Sequence, residues 1–210
     1  MSETVLHDFC RSSASYRVRI VLNLKGVAYR SVPVDLSQGE HKRDDYHSLN
    51  PQGLVPTLTI DGHILTQSLA IIDYLDATRK HPPMVSSDPL QRSRTLAQAL
   101  TIAADIHPVQ NLRILNALRG DFGASEEQVR LWVQRWVESG FAALEEAAPK
   151  AGLFGGETPD LADVCLVPQM YNARRFEVDL TPYPQLVRID AAARALDPVA
   201  RAAPEAAKPD

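Results

Sequence analysis

From residue 4 to residue 25 the chain reads TVLHDFCRSSASYRVRIVLNLK: a short apolar run, a cluster of small hydroxyl residues, then apolar positions at helical spacing. Val5, Leu6 and Phe9 fit a strand, and Val18, Ile20, Val21, Leu22 and Leu24 make the stripe of a helix, with Arg17, Arg19 and Lys25 expected to face water. Gly26 is a stop signal, and residues 29–34 alternate like a second strand. Residues 35–50 are polar and charged, too irregular for a helix, and are expected to rim a site; they end in the turn Asn50-Pro51-Gln52-Gly53. LVPTLTIDG and HILTQ then read as two strands joined at Asp61-Gly62, a strong hairpin signal. Pro56 removes a ladder donor, so it belongs at an edge, a strand start or a cis turn. Gln67 and Ser68 open the next helix, with Leu69, Ile72 and Leu75 as its buried stripe.

Past a Pro/Ser/Asp-rich stretch the period changes. Segments 90–119, 125–148, 160–175 and 184–196 all read as helices, with no strong strand signal among them. Ser125 with Gln128, and Asp160 with Asp163, make capping boxes, which position helices and do no chemistry. Trp132 and Trp136, four apart, are expected to pack in the core. The end, ARAAPEAAKPD, is expected to fray. The division that follows is residues 1–81 as an α/β domain, 82–89 as a linker and 90–210 as an all-α domain.

Composition narrows the function. A formal net charge of −4 with mixed signs argues against a nucleic-acid partner. Cys10 and Cys165 are the two cysteines, too few for a disulfide framework, and no Cys/His spacing suits a metal. MSETVLHDF lacks the basic and apolar parts of a signal peptide, and no apolar run approaches membrane-spanning length, so a cytoplasmic location with no membrane contact is expected. Ser12 and Ser13 fall at the strand-to-helix junction. A helix start carries unpaired N–H groups and partial positive charge, so a serine there either caps the helix or helps to hold an anion, including a thiolate.

The motif SSASYRVRIVLNLKG resembles SSCSxRVRIALxLKG of the zeta-class glutathione transferases, the maleylacetoacetate and maleylpyruvate isomerases. The likeness continues in LNPQGLVPTLTIDG, TQSLAIIDYL, IHPVQNLRIL and LADVCLVPQMYNARRFEVDLTPYP, nearly the whole chain. The resemblance implies the glutathione transferase fold, an N-terminal thioredoxin-like βαβαββα domain followed by an all-helical domain that binds substrate, and a homodimer. One position departs: the usual cysteine of the motif is Ala14 here. Cys10 does not replace it, since a redox cysteine of the glutaredoxin kind would fall at Ser12.

By the same resemblance, glutathione binds the first domain. Gln67 and Ser68 hold its γ-glutamyl carboxylate, Val55 beside Pro56 pairs with its cysteinyl backbone, and Gln52, His41 and Lys42 approach its glycine end. Each has a physical basis: a carboxylate suits helix N–H groups, and a peptide can add to a sheet as a strand. The implied reaction is cis–trans isomerisation of a diketo dicarboxylate, with thiolate addition turning the double bond into a rotatable single bond and elimination restoring it. The Ser12 hydroxyl and the helix dipole would together stabilise the thiolate by about 1–3 kcal/mol, with Ser13 beside them a further catalytic candidate. Arg11, Arg113 and Arg175 are the implied partners of the substrate carboxylates and of developing negative charge, Arg11 thus also being catalytic. His107 and Asn111, four apart and expected on one helix face, would contact glutathione or substrate. Two other readings stand beside it: a transferase or dehalogenase acting on small α-halo acids, which would share the thiolate and carboxylate sites, and an interaction module that has lost catalysis, against which the Ser12, Pro56, Gln67 and Ser68 set argues.

Overall fold

A computed structural model describes residues 3–208; Met1, Ser2, Pro209 and Asp210, parts of the leader and tail readings, lie outside the described residues. Those described fall into two compact units, one running to Met84 and including the segment from Ala195 on, the other Val85–Arg194.

The first unit has the thioredoxin-like order expected: β1 (Val5–Asp8), α1 (Ser13–Leu24), β2 (Arg30–Pro33), α2 (Asp44–Leu49), β3 (Thr57–Ile60), β4 (His63–Thr66) and α3 (Ser68–Thr78), with a 3₁₀ turn at Glu40–Lys42 before α2. The strands lie in the order β2-β1-β3-β4, β1 parallel to β2 and antiparallel to β3, with β3 and β4 a hairpin. Asp61 and Gly62 take φ of 53° and 80°, the left-handed pair a tight hairpin needs. Residues 40–42 and 44–49 supply the second helix that the βαβαββα order implies, in a stretch whose own pattern is too irregular to mark one; Tyr46, the buried residue of α2, is what anchors that polar stretch to the unit.

α1 departs from the expected amphipathic pattern. Residues 15–22 are buried on every side, Arg17 and Arg19 among them. The Arg19 guanidinium does not face water because all three of its nitrogens have acceptors: Nη1 meets Asp8 Oδ2 at 2.7 Å, Nη2 the Cys10 carbonyl at 2.8 Å and Nε the Ala202 carbonyl at 2.9 Å. Lys25 is also turned inward. Its ammonium plugs the end of α3 by donating to the Arg79 and Pro82 carbonyls at 2.7 and 2.8 Å and to Asp76 at 2.9 Å. The tail is likewise not frayed as far as it is described: α10 (Asp197–Ala200) lies against α1, Ala202 is fully buried, and Asn23 Nδ2 donates to the Pro198 carbonyl at 2.9 Å.

The second unit consists of α4 (Pro89–Leu100), α5 (His107–Val109), α6 (Leu112–Gly120), α7 (Glu126–Ala147), α8 (Leu161–Arg175) and α9 (Pro184–Arg194). Both capping boxes are formed, at Ser125 and at Asp160. α8 is buried on all sides through its first ten residues, and Val129, Val133, Val137, Phe141 and Leu144 of α7 supply one apolar face of this core. The expected single helix over 90–119 is instead broken. Thr101–Ile106 widens into a π-helical turn, seating Ile106 where Gly140 of α7 has no side chain; a Cβ there would lie 2.3 Å from Ile106 Cδ1. Trp132 packs edge-on against Trp136 with centroids 5.7 Å apart, but Trp136 remains 39% exposed and is not a core residue.

Candidate active site

The sheet register gathers three loops at one end of the first unit. Antiparallel pairing of His7 with Thr57 sets the exit of β1 beside the entry of β3, and pairing of Thr57 with Thr66 sets the exit of β4 there too. Residues 9–12, 52–56 and 67–68 therefore emerge together.

In the first loop, Ser12 is the N-cap of α1: its backbone is extended, its Oγ accepts from Ser15 N–H at 3.2 Å, and Ser13 begins the helix. The cap occupies the Oγ as an acceptor and leaves its hydrogen free to donate. Capping and anion stabilisation are thus compatible. Arg11 is exposed, its guanidinium 5.6 Å from the Phe9 ring centroid, and Ala14 sits in the first turn of α1.

The second loop is braced from below. Tyr46 Oη donates to the Leu54 carbonyl at 2.7 Å and lies 2.9 Å from Thr57 Oγ1, and buried Asn50 donates to the same carbonyl at 2.6 Å. Val55, joined to Pro56 by a cis bond, stands just outside the ladder, whose last β3 residue is Thr57. Gly53 is required at its position. It has φ +59°, and a Cβ would lie 2.9 Å from the His41 carbonyl and 3.1 Å from His47 Nε2. His41 is half-buried with its Nδ1 enclosed and unpartnered; burial lowers its pKa and the nearby Lys42 and His47 lower it further, so the ring is neutral at pH 7. Tyr46 and Asn50 were missed as site supports; their signal was a lone aromatic and an amide in an otherwise charged stretch.

In the third loop, Gln67 precedes α3 with φ 64° and ψ 113°, a conformation costing a non-glycine residue about 1–3 kcal/mol. Its Nε2 donates to Gln52 Oε1 at 2.7 Å, which links the second and third loops. Ser68 is the buried first residue of α3. The N–H groups of this first turn, the unpaired His41 Nδ1 and the open end of the β3 ladder are donors and acceptors suited to an anionic tripeptide.

The remaining candidates belong to the helical unit. His107 opens α5, Arg113 is the second residue of α6 and exposed, and Arg175 closes α8, exposed, with its guanidinium 5.9 Å from the Phe176 centroid. His107 and Asn111 do not share a helix face. The helix ends at Val109, and Asn111 is extended (φ −74°, ψ 162°) as the N-cap of α6, its Oδ1 accepting from Ile114 N–H. This segment is tied down by Trp132 Nε1 donating to the Val109 carbonyl at 2.8 Å and by buried Gln110 donating to Gln169 at 2.7 Å.

The family described as glutathione S-transferase, N-terminal domain, matches residues 6–83. Maleylacetoacetate isomerase of Rhizobium meliloti strain 1021 is 50% identical over 99% of both chains. The holo structure of a bacterial zeta-class maleylpyruvate isomerase superposes with a TM-score of 0.95 at 46% identity, covering 98% of this chain and 99% of its own. The chain belongs to the zeta class of glutathione transferases. A further comparison is the maleylacetoacetate isomerase of Methylobacterium extorquens AM1, solved with malonate and glutathione, at TM-score 0.93 and 36% identity over 98% of each chain. Among the described residues of this zeta-class protein no helix is long and apolar enough to cross a membrane, and no cluster of metal-ligating side chains occurs.

Proposed function

We propose that this chain is a glutathione-dependent cis–trans isomerase of a diketo dicarboxylate, maleylacetoacetate or maleylpyruvate, in the breakdown of an aromatic compound. The observation that carries this reading is the convergence of the Ser12, Val55 and Ser68 loops at one end of the sheet, in a chain half identical throughout to a maleylacetoacetate isomerase. The relative that holds malonate beside glutathione supports a dicarboxylate.

Gln67 and Ser68 hold the γ-glutamyl carboxylate at the start of α3, Val55 extends the β3 ladder to the cysteinyl backbone, and Gln52 and His41 meet the glycine end. Bound glutathione supplies a nucleophilic thiolate whose reversible addition to the double bond permits rotation. The Ser12 hydroxyl donates to the sulfur anion, and the N-terminus of α1 adds its partial positive charge. With Ala14 where the class has cysteine, that work falls to Ser12 and the helix. Arg11, Arg113 and Arg175 neutralise the substrate carboxylates and the charge that develops on its keto oxygen. The first unit is thus the glutathione-binding part and the helical unit the substrate-binding part of a cytoplasmic homodimer. The apolar face of α4, with Leu90 and Leu100 60% and 44% exposed, supports self-association.

Purified protein with glutathione is expected to convert either maleyl compound to its fumaryl isomer, and Ser12→Ala to lower kcat about 10²-fold. No conversion of either compound rejects the reading, and halide release from α-halo acids without isomerisation would replace it with a dehalogenase. Sedimentation at micromolar concentration is expected to give twice the 23.1 kDa chain mass.

A further inference from the structure

Arg19 is not among the residues that would touch glutathione or substrate, yet it ties together the chain around them. It is 1% exposed, and its three nitrogens reach three separate pieces of chain: Asp8 at the end of β1, the Cys10 carbonyl in the loop that leads to Ser12, and the Ala202 carbonyl in the C-terminal segment. The guanidinium also stacks over the Tyr16 ring at 5.3 Å. One helical turn further on, Asn23 donates to the Pro198 carbonyl, so the C-terminal segment is tied to α1 at two successive turns of one face.

From this we infer that Arg19 is a positioning residue for the glutathione site and that the segment 195–208 is the clasp that fixes it. The planar fork of a guanidinium can hold three acceptors in one fixed relation. With Asp8 and Ala202 as two anchors, the third bond sets the Cys10 peptide, and with it the placement of Arg11 and the Ser12 hydroxyl two residues on. Asp8 alone would leave the guanidinium free to pivot about one ion pair. The Ala202 carbonyl removes that freedom. The C-terminal segment thereby acts on thiolate stabilisation without contacting the tripeptide. The inference rests on the role given to Ser12 above.

Three variants of the full chain separate positioning from bulk stability. Arg19→Lys keeps a cation for Asp8 but cannot span the other two carbonyls. A chain ended at Arg201 removes the Ala202 acceptor and keeps the Pro198 tie. Asn23→Ala loosens the segment and leaves Asp8 and the loop alone. Glutathione affinity is read by calorimetry, ionisation of the bound thiol by the ultraviolet absorbance of the thiolate against pH, and the diketo acid by its KM. Arg19→Lys and the shortened chain are each expected to weaken glutathione about tenfold and to move the thiolate titration to higher pH, with a smaller rise in the diketo-acid KM, since Arg11 shifts with the loop while Arg113 and Arg175 keep their places. A folded Arg19→Lys or shortened chain with the parent affinity and the parent thiolate titration overturns the inference. Should neither fold, Asn23→Ala decides: about threefold weaker glutathione binding supports the clasp, and unchanged binding overturns it. A parent chain that binds no glutathione fails before any variant is compared, and overturns the site itself.

Discussion

At the end of β1, Asp8 is buried against a guanidinium; at the start of α8, Asp160 and Asp163 are buried against backbone N–H groups and a hydroxyl. Asp163 accepts from Phe154, Gly155 and Asp160 N–H at 2.9, 2.9 and 3.0 Å, while Asp160 accepts from Ala162 N–H at 2.8 Å and from Thr95 Oγ1 at 2.9 Å. Burial pushes the Asp8 pKa up and Arg19 pulls it back. In the second pair nothing opposes burial but hydrogen bonds, and the neighbouring Asp160 charge adds to burial at Asp163, so Asp163 is pushed up to about 6. One cluster is an ion pair spread over the chain, the other a local cap. They differ in what happens when a partner is removed.

The widest difference is expected at Arg19. Arg19→Met leaves the Asp8 carboxylate buried without its cation and should cost about 3–5 kcal/mol in urea unfolding. Asp8→Leu combined with Arg19→Met should recover much of that loss, because an apolar pair of similar volume needs no counter-charge. A double variant as unstable as Arg19→Met alone would show that the carbonyl bonds, not the charge pairing, dominate. Asp163→Ala comes next. It unpairs three N–H groups at the turn before α8 and should cost about 2–4 kcal/mol, with no second-site change able to restore it.

The two clusters were not equally legible. The Asp160 box lies within four residues and precedes an apolar run, so its pattern is complete in a short window; the Ser125 box, the Asp61-Gly62 hairpin and the Ser12 cap are local in the same way. Arg19 finds its acceptors 11, 9 and 183 residues away. A window around α1 contains Asp8 and Cys10 but not Ala202, and a basic residue among apolar ones reads as a solvent-facing position. The burial of Lys25 and the docking of the tail were hidden for the same reason. The break between His107 and Asn111 also escaped, although Asn111 is of a residue type that starts helices and here caps α6. Of the candidate site, Ser12, Pro56 and Ser68 follow from helix-start and proline chemistry. Arg113 and Arg175 were singled out only through the resemblance, because an exposed arginine near a helix end has no local mark of function.

A pH profile sharpens the same comparison. Asp163 in the folded chain holds its proton up to about 6, against 3.8 when unfolded. Between those values the folded state binds more protons, so the unfolding free energy should fall as pH rises from about 4 to about 6, by about 1–3 kcal/mol. Asp163→Asn should flatten that slope. A slope of opposite sign, with stability rising over the same interval, would mean that the three N–H donors outweigh burial and hold the carboxylate ionised.

The smallest effect is expected where a carboxylate is paired in the open. Asp61, at the β3–β4 turn, accepts from Arg79 at 2.7 and 2.8 Å and from Tyr74 Oη at 2.9 Å, and is held down to about 2, chiefly by the Arg79 hydrogen bonds and then by Tyr74. Here the folded pKa is depressed, so the contribution is present above 3.8 and is lost as the pH falls through about 2, the reverse of Asp163. Arg79→Gln should return the Asp61 titration, followed by NMR of its carboxyl carbon, most of the way to 3.8, and 1 M salt should shrink the shift in the parent chain. Unfolding at neutral pH should change less than in any variant above, since both side chains remain in contact with solvent and water replaces whichever partner is removed. A loss comparable to that of Arg19→Met would show that the turn, not the buried end of β1, is where charge pairing stabilises this unit.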